Sequence, residues 1–547
     1  MKRLLFLSLL FVSYIANAET VNVDGISYEI YNEDHTATLK KAWSVTAENF
    51  IIPSQIEYAN VTYAVTSIGI NAFIDNEIIK SVTIPMGIKY ISSSAFRRCS
   101  NLMSVEIPSS INDIGSGAFR ECDKLAAVHI SDLSAWCNID FANAPANPLY
   151  NSGHLFLNNE DIVDLCIPDG VQEIKRFAFS NGIGFKSLEI PKSVKRIGEK
   201  CFEGCTNLNK INITDLSAWC SIKFYEYSNP LQYAKHLYLN NEEIKDLIID
   251  GNVSNISNYA FQGCEGLTTL TLSEGVLSVG QSAFSRCPNL TKVFIPLSLQ
   301  EMKAFAFGEF DGLSFMISDL GAWAKMEKSK IDGSTVFGSI ATNYDLYLNE
   351  NIVENLELPE DLFYIANCAF MNCRSIKSLK SQQIRTIGRN AFMNCNSLES
   401  VNLGDEIKTI SHAAFYGCSS LTSVAVGKSI NEVGEQVFST CPSLSSFICY
   451  AEDVPSTHGS AFDNAVSHST LYVPAVSVYE YKLKSPWSKF GTIKEIDSGG
   501  TGINSSLSNS YGVIKSFSID GKSNSSLQKG VNVVKTSNGK TKKVVIK

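Results

Sequence analysis

Fifteen cysteines are the residues of this chain most able to do chemistry, and nine of them share one place in a repeated phrase. Cys99, Cys122, Cys205, Cys264, Cys287, Cys373, Cys395, Cys418 and Cys441 each follow a phenylalanine by three residues, as in Ala95-Phe96-Arg97-Arg98-Cys99. Thiols spaced so regularly could bridge, hold a metal or cycle between redox states. Their position argues otherwise. In other copies the same place holds Asn76, Gly182, Phe310 and Ala465. A site that accepts Gly, Ala and Phe is a packing site, and a free thiol packs there as a small hydrophobe. We read a structural ladder of buried thiols, although neighbours about 5 Å apart would lie within bridging distance.

No other constellation supports catalysis. The seven histidines (His35, His129, His154, His236, His412, His458 and His468) are scattered. His154 and His236 are equivalent places in a duplicated segment whose third copy has Asp345, so duplication rather than metal ligation explains them. Gly427-Lys428-Ser429 looks like the end of a phosphate-binding loop, but the leading glycine that motif needs is Thr422. HExxH and GxSxG motifs do not occur. The expectation is no enzyme, no metal and no cofactor.

The elements that position these residues follow from the period. The phrase recurs with Phe at 73, 96, 119, 179, 202, 261, 284, 307, 370, 392, 415, 438 and 462. Most gaps are 22 to 24 residues, and three are 60, 59 and 63. Such a period means a solenoid whose stacked turns share one core. Within a unit, Val105-Glu106-Ile107 alternates like a short strand ended by Pro108, and Ile111 to Gly115 is a second extended piece. Gly115 is read as permitting the tight turn that follows. We expect about 16 rungs in a continuous curved parallel sheet roughly 75 Å long.

The three long gaps carry a second repeat. Asp132-Leu-Ser-Ala-Trp136 returns at Asp215–Trp219 and, with Gly for Ser, at Asp319–Trp323, each followed by a Leu-aromatic-Leu-Asn segment near 155, 237 and 346. Asp suits a helix N-cap, so each insert should open with a short helix, and the later segment should hairpin onto the next rung. Trp136, Trp219 and Trp323 are candidates for an insert surface, although each could instead anchor its insert.

The remaining chain divides by composition. Residues 1–18 read as a signal peptide, with Lys2-Arg3, an apolar run at 4–12 and Ala16-Asn17-Ala18 before the cut. Residues 19–64 form an N-terminal β cap, and 65–465 the solenoid with inserts at about 132–160, 215–243 and 319–352. A C-terminal cap follows at 466–497, a linker at 498–511 and a small all-β tail at 512–547. With 46 basic against 55 acidic residues and no basic tract among aromatics, nucleic acid is excluded as a partner. After the signal peptide no segment is long and apolar enough for a transmembrane helix.

The whole phrase, AFxxCxxLxxVxIPxxIxxIGxxAF, closely resembles the BspA-like leucine-rich repeat family over roughly residues 65 to 475. The tail, with Ser518-Ile-Asp-Gly-Lys522 and Lys543–Lys547, resembles short C-terminal sorting tails of exported proteins. The first resemblance implies a bacterial surface or secreted protein, some relatives being adhesins for extracellular-matrix proteins. It carries no ligand residues across, because its motif is the scaffold. The outward residues of the strands should be Thr83, Glu106, His129, Glu189, Asn212, Thr271, Phe294, Asn402 and Ala425, of which only Phe294 is large and apolar. Protein partners are therefore expected on this face, with Phe294 first, and Glu106, His129, Glu189 and Asn212 beside it. A glycan-capture protein and a self-associating surface component are the alternatives, the former requiring exposed aromatic platforms.

Overall fold

The computed structural model describes residues 18–496 apart from 43, 226, 309, 310 and 329–338, together with the backbone of later strands between Val513 and Ile546. Readings placed on residues 1–17, the linker at 498–511, Phe310 and the Ala465 side chain lie outside the described residues.

Each regular unit lays down two short strands, and successive units stack them into two parallel ladders. In Ser104–Ile107 the Val105 and Ile107 side chains are buried and Glu106 between them is exposed, as the alternation requires. This strand pairs in register with Ser81–Thr83 before it and Ala127–Ile130 after it. Two-residue strands such as Tyr90–Ile91 and Asp113–Ile114 form the second ladder. Gly115 ends that strand for a reason different from the one its sequence suggests. A Cβ there would lie 2.4 Å from the backbone N of Ser93 on the preceding rung, and Gly198 repeats this approach on Arg176 at 2.4 Å. Close rung-to-rung contact selects glycine, not a left-handed backbone.

Between the ladders runs a column of stacked rings. Phe73, Phe96 and Phe119 lie nearly parallel with centroids 4.8 and 5.2 Å apart, and Phe261, Phe284 and Phe307 repeat the arrangement at 4.9 and 5.3 Å. Beside each ring the thiol three residues on donates to the carbonyl of the previous phenylalanine. Cys99 bonds Phe73 and Cys122 bonds Phe96, both at 3.1 Å, and Cys205, Cys287, Cys395, Cys418 and Cys441 do likewise. Cys264 and Cys373, each first after an insert, lack that partner, and Cys373 lies 3.4 Å from Ser375 Oγ instead. All nine are buried and unbridged, and burial pushes the Cys122, Cys205 and Cys441 thiols up to about 12.

The long parallel sheet is not continuous. It is broken at every insert into blocks of five, four, five and seven parallel strands, beginning at Asn49–Ile51 and ending at Thr492–Glu495. The count exceeds the sequence-based one because strands without the AFxxC phrase also serve as rungs. In the first insert Asp132 caps the helix Leu133–Cys137 through Ala135 N at 3.0 Å, as expected. Asp140–Phe141 then extends the second ladder, and Leu155–Leu157 pairs in parallel with the preceding rung, Ala127–Ile130. Asn158 and Asn159, both left-handed, turn the chain into an antiparallel hairpin with Glu160–Asp161, and no further strand of this sheet follows. The hairpin therefore closes one block rather than joining the next. Ala18–Val23, Ile26–Tyr31 and Thr36–Lys41 form an antiparallel meander, and Thr36–Lys41 pairs in parallel with Val61–Ile68, through which the sheet runs into the second ladder. The later strands form a separate four-stranded antiparallel sheet.

The insert tryptophans are buried, so they present no surface. In a regular rung the alanine of the phrase accepts a hydrogen bond from the previous phenylalanine, as Phe96 N does to Ala118 O at 2.8 Å. At the first insert Phe119 N turns to Pro145 O, and Ala178 O accepts instead from Trp136 Nε1 at 2.9 Å and Asn147 Nδ2 at 3.0 Å. Trp219 and Asn229 do the same for Ala260 O at 3.0 and 2.9 Å. The third insert departs from this. Trp323 Nε1 has no acceptor, and Lys328 stands where Phe141 and Phe224 pack on the other two tryptophans. Its ammonium lies 4.3 Å from the Trp323 ring centre and donates to the Trp323 carbonyl.

Two outcomes follow for solution measurement. Alkylation of the folded protein at about pH 8 should modify Cys166, the one exposed thiol of the fifteen, and spare the ladder until urea unfolds it. Ladder cysteines that label natively, or emerge linked in non-reducing mass spectrometry, would contradict the packing. Burial also pulls the Lys328 amine from 10.5 down to about 7, so the unfolded chain holds the extra proton between those values. The resulting destabilisation is full below the lower value and fades towards the upper one. Lys328→Met should accordingly raise the urea midpoint most near pH 6 and least near pH 10; an equal gain at both would contradict the buried amine.

Candidate functional site

The outward faces of the four blocks differ in chemistry because each rung offers one central outward side chain. In the first block Ile51, Thr83, Glu106, His129 and Phe156 stand in register, with the exposed Ile51 at the edge and set apart from Phe156 by three polar residues. Glu106 is exposed, but the His129 ring stacks on Phe156 with centroids 4.9 Å apart and its Nδ1 is buried without a partner. In the second, Cys166, Glu189, Asn212 and Tyr238 are aligned. Glu189 is exposed, whereas Asn212 is buried and its Oδ1 accepts from Asn241 N at 2.8 Å. Asn212 therefore holds the hairpin turn and leaves the set of contact residues. In the fourth block Ala425 and Ile448 are buried, which closes that row at its middle.

The third block is the exception. Its strands Asp246–Ile249, Thr269–Leu272, Lys292–Phe294, Leu313–Ile317 and Tyr344–Leu348 bring Ile248, Thr271, Phe294, Met316 and Tyr347 into one register. Ile248 is 63% exposed and Phe294 41%, with Met316 and Tyr347 half-buried beside them. Four large apolar side chains thus line one sheet face. The strands of Thr271, Phe294, Met316 and Tyr347 are paired on both sides, so over them the row offers side chains, while Asp246–Ile249, with Ile248, is the edge strand that begins the block.

Sequence reasoning found Thr271 and Phe294 and missed Ile248, Met316 and Tyr347. Ile248 and Met316 belong to rungs that lack the phrase used to locate strands, and Tyr347 belongs to the hairpin segment. The alternation of Leu346-Tyr347-Leu348, the same as Val105-Glu106-Ile107, was the available signal. At the equivalent insert positions the His154 and His236 rings lie within hydrogen-bond distance of Asp161 and Glu243, at 3.1 and 2.6 Å, and Asp345 pairs with Arg374 at 2.8 Å. Among the described residues no His, Cys, Asp and Glu cluster has the geometry to hold a metal. No described helix is long and apolar enough to cross a membrane.

No curated protein matches the chain. Similar solved structures include a leucine-rich repeat protein from Bacteroides ovatus ATCC 8483, 20% identical over 81% of this chain and 99% of that one, with a TM-score of 0.41. A leucine rich cell surface protein from Faecalibacterium prausnitzii A2-165 is 19% identical over 88% and 96%, with a TM-score of 0.26. The pneumococcal vaccine antigen PcpA is 16% identical over 87% and 98%, with a TM-score of 0.28. The model of the BspA type leucine rich repeat region matches in six copies, over residues 44–144, 151–236, 232–318 and 342–469. On that match, which spans most of its length and the two ladders described above, the chain belongs to the BspA-type leucine-rich repeat family.

Proposed function

We propose that this chain is an exported, surface-associated scaffold without enzymatic activity that binds other proteins through the outward face of its third block. One observation carries the reading: Ile248, Phe294, Met316 and Tyr347 stand in register on a sheet that hydrogen bonds hold rigid. Aromatic residues and Met on a preorganised surface are the side chains that anchor protein interfaces, because they bury much area at little entropic cost. A long sheet face suits a large, shallow partner better than a small ligand. The charged start, the apolar run at 4–12 and Ala16-Asn17-Ala18 support export, and extracellular-matrix or surface proteins are then the partner class. The glycan reading loses its platform, since Trp136, Trp219 and Trp323 are each 1% exposed.

The mature chain should be presented to immobilised matrix proteins and to a glycan array. Capture by a protein, weakened about tenfold or more in Phe294→Ala combined with Tyr347→Ala, is the expected outcome. Capture by glycans alone, or protein binding that the double variant leaves intact, would refute the assignment.

A further inference from the structure

We infer that the apolar row of the third block seats an amphipathic α-helix of a partner protein, its apolar stripe on the row and a Lys- or Arg-bearing flank over the adjoining acidic turns. This rests on the protein-binding reading above and narrows its partner. The first ground is the state of the backbone. A guest lying across the four strands paired on both sides, those of Thr271, Phe294, Met316 and Tyr347, finds no free N–H or C=O there and must satisfy its own backbone, as a helix does.

Dimensions agree. Five rungs span about 19 Å at about 4.8 Å each, the length of roughly three helical turns, over which apolar residues at i, i+4, i+7 and i+11 line one face. Thr271, between Ile248 and Phe294, leaves a dip in the row that an apolar side chain of the guest would fill.

Charge selects the flank. The turns leaving the C-terminal ends of these strands carry the exposed carboxylates Asp250, Glu274, Asp319 and Glu350, and no Lys or Arg stands in those turns. Backbone donors hold two of them in place. Glu274 accepts from Leu297 N at 2.8 Å and Ser298 N at 3.0 Å, and Asp319 accepts from Ala322 N at 2.6 Å. Among the described residues none of the four pairs with a cation, so their field is available to a guest. The opposite ends of the strands are mixed in charge, with Lys245 and Lys292 beside Asp246 and Asp345, so the acidic turns alone give the guest helix a preferred side. An anionic membrane surface would meet the acidic turns and be repelled.

The test uses the full mature chain and a labelled 18-residue synthetic peptide with Leu and Phe along one helical face and Lys on one flank. Its scrambled isomer, a Glu-flanked version and anionic phospholipid vesicles serve as controls. The Lys-flanked peptide should bind, lose about tenfold in affinity on Phe294→Ala with Tyr347→Ala, and lose about threefold on Glu274→Gln with Glu350→Gln. Glutamine at 274 keeps one acceptor oxygen, for Leu297 N or Ser298 N, and loses the other, so Glu350→Gln alone, whose carboxylate these amides do not hold, separates the loss of charge from the loosened turn. Added salt should weaken the wild-type complex and leave the Gln variant less affected. Equal binding of the scrambled or Glu-flanked peptide, preference for vesicles, or indifference to both double variants would overturn the inference. If matrix-protein capture depends on Phe294 while the peptide fails, the binding row stands and the helical guest is wrong. If both are indifferent, the row itself is wrong.

Discussion

A phenylalanine ring can stack on its own copy only if the chain returns to the same place every rung, and this molecule depends on that constraint. The rings sit about one strand spacing apart because the flanking ladders fix that distance. Seven of the nine ladder thiols tie their ring to the previous turn by donating to that turn's phenylalanine carbonyl. A thiol is small enough to fill the space and polar enough to make this bond, which neither Gly nor Ala could do. The cysteines are therefore conserved in position along the chain by packing and a weak hydrogen bond, and their burial keeps them protonated and unreactive.

Interrupting such a column leaves backbone groups without partners, and the inserts show how that is managed. Where the ring column breaks, the phenylalanine amide that should bond the next alanine carbonyl is diverted, and an indole N–H and an asparagine amide take its place. The third insert keeps the tryptophan, loses this repair and accepts a buried lysine in place of an aromatic ring. It interrupts the same block that carries the apolar row, between the strands of Met316 and Tyr347. The block whose insert departs from the other two thus also carries the apolar row.

Much of this was legible in the sequence. Period, strand alternation, the helix caps at Asp132, Asp215 and Asp319 and the packing role of the ladder cysteines all follow from residue type and spacing. Three features did not. Gly115 looks like a turn residue, because nothing local reveals that the neighbouring rung approaches within contact distance. The sheet looked continuous, because the Leu-aromatic-Leu segment reads as a strand whichever rung it pairs with, and only tertiary pairing shows that its hairpin ends a block. Asn212 looked outward by alternation and is drawn inward by the turn it caps. Of the four large side chains in the third-block row only Phe294 was visible, since Ile248, Met316 and Tyr347 lie on rungs outside the repeated phrase.

The most direct measurement is hydroxyl-radical footprinting of the chain, free and bound to a matrix protein that the proposed capture experiment selects. Oxidation of Phe294, Met316 and Tyr347 should fall on binding, while Met86 and Met103, exposed elsewhere on the solenoid, stay unchanged. Protection at Met86 and Met103 with none at the third-block row would contradict the assignment of that face.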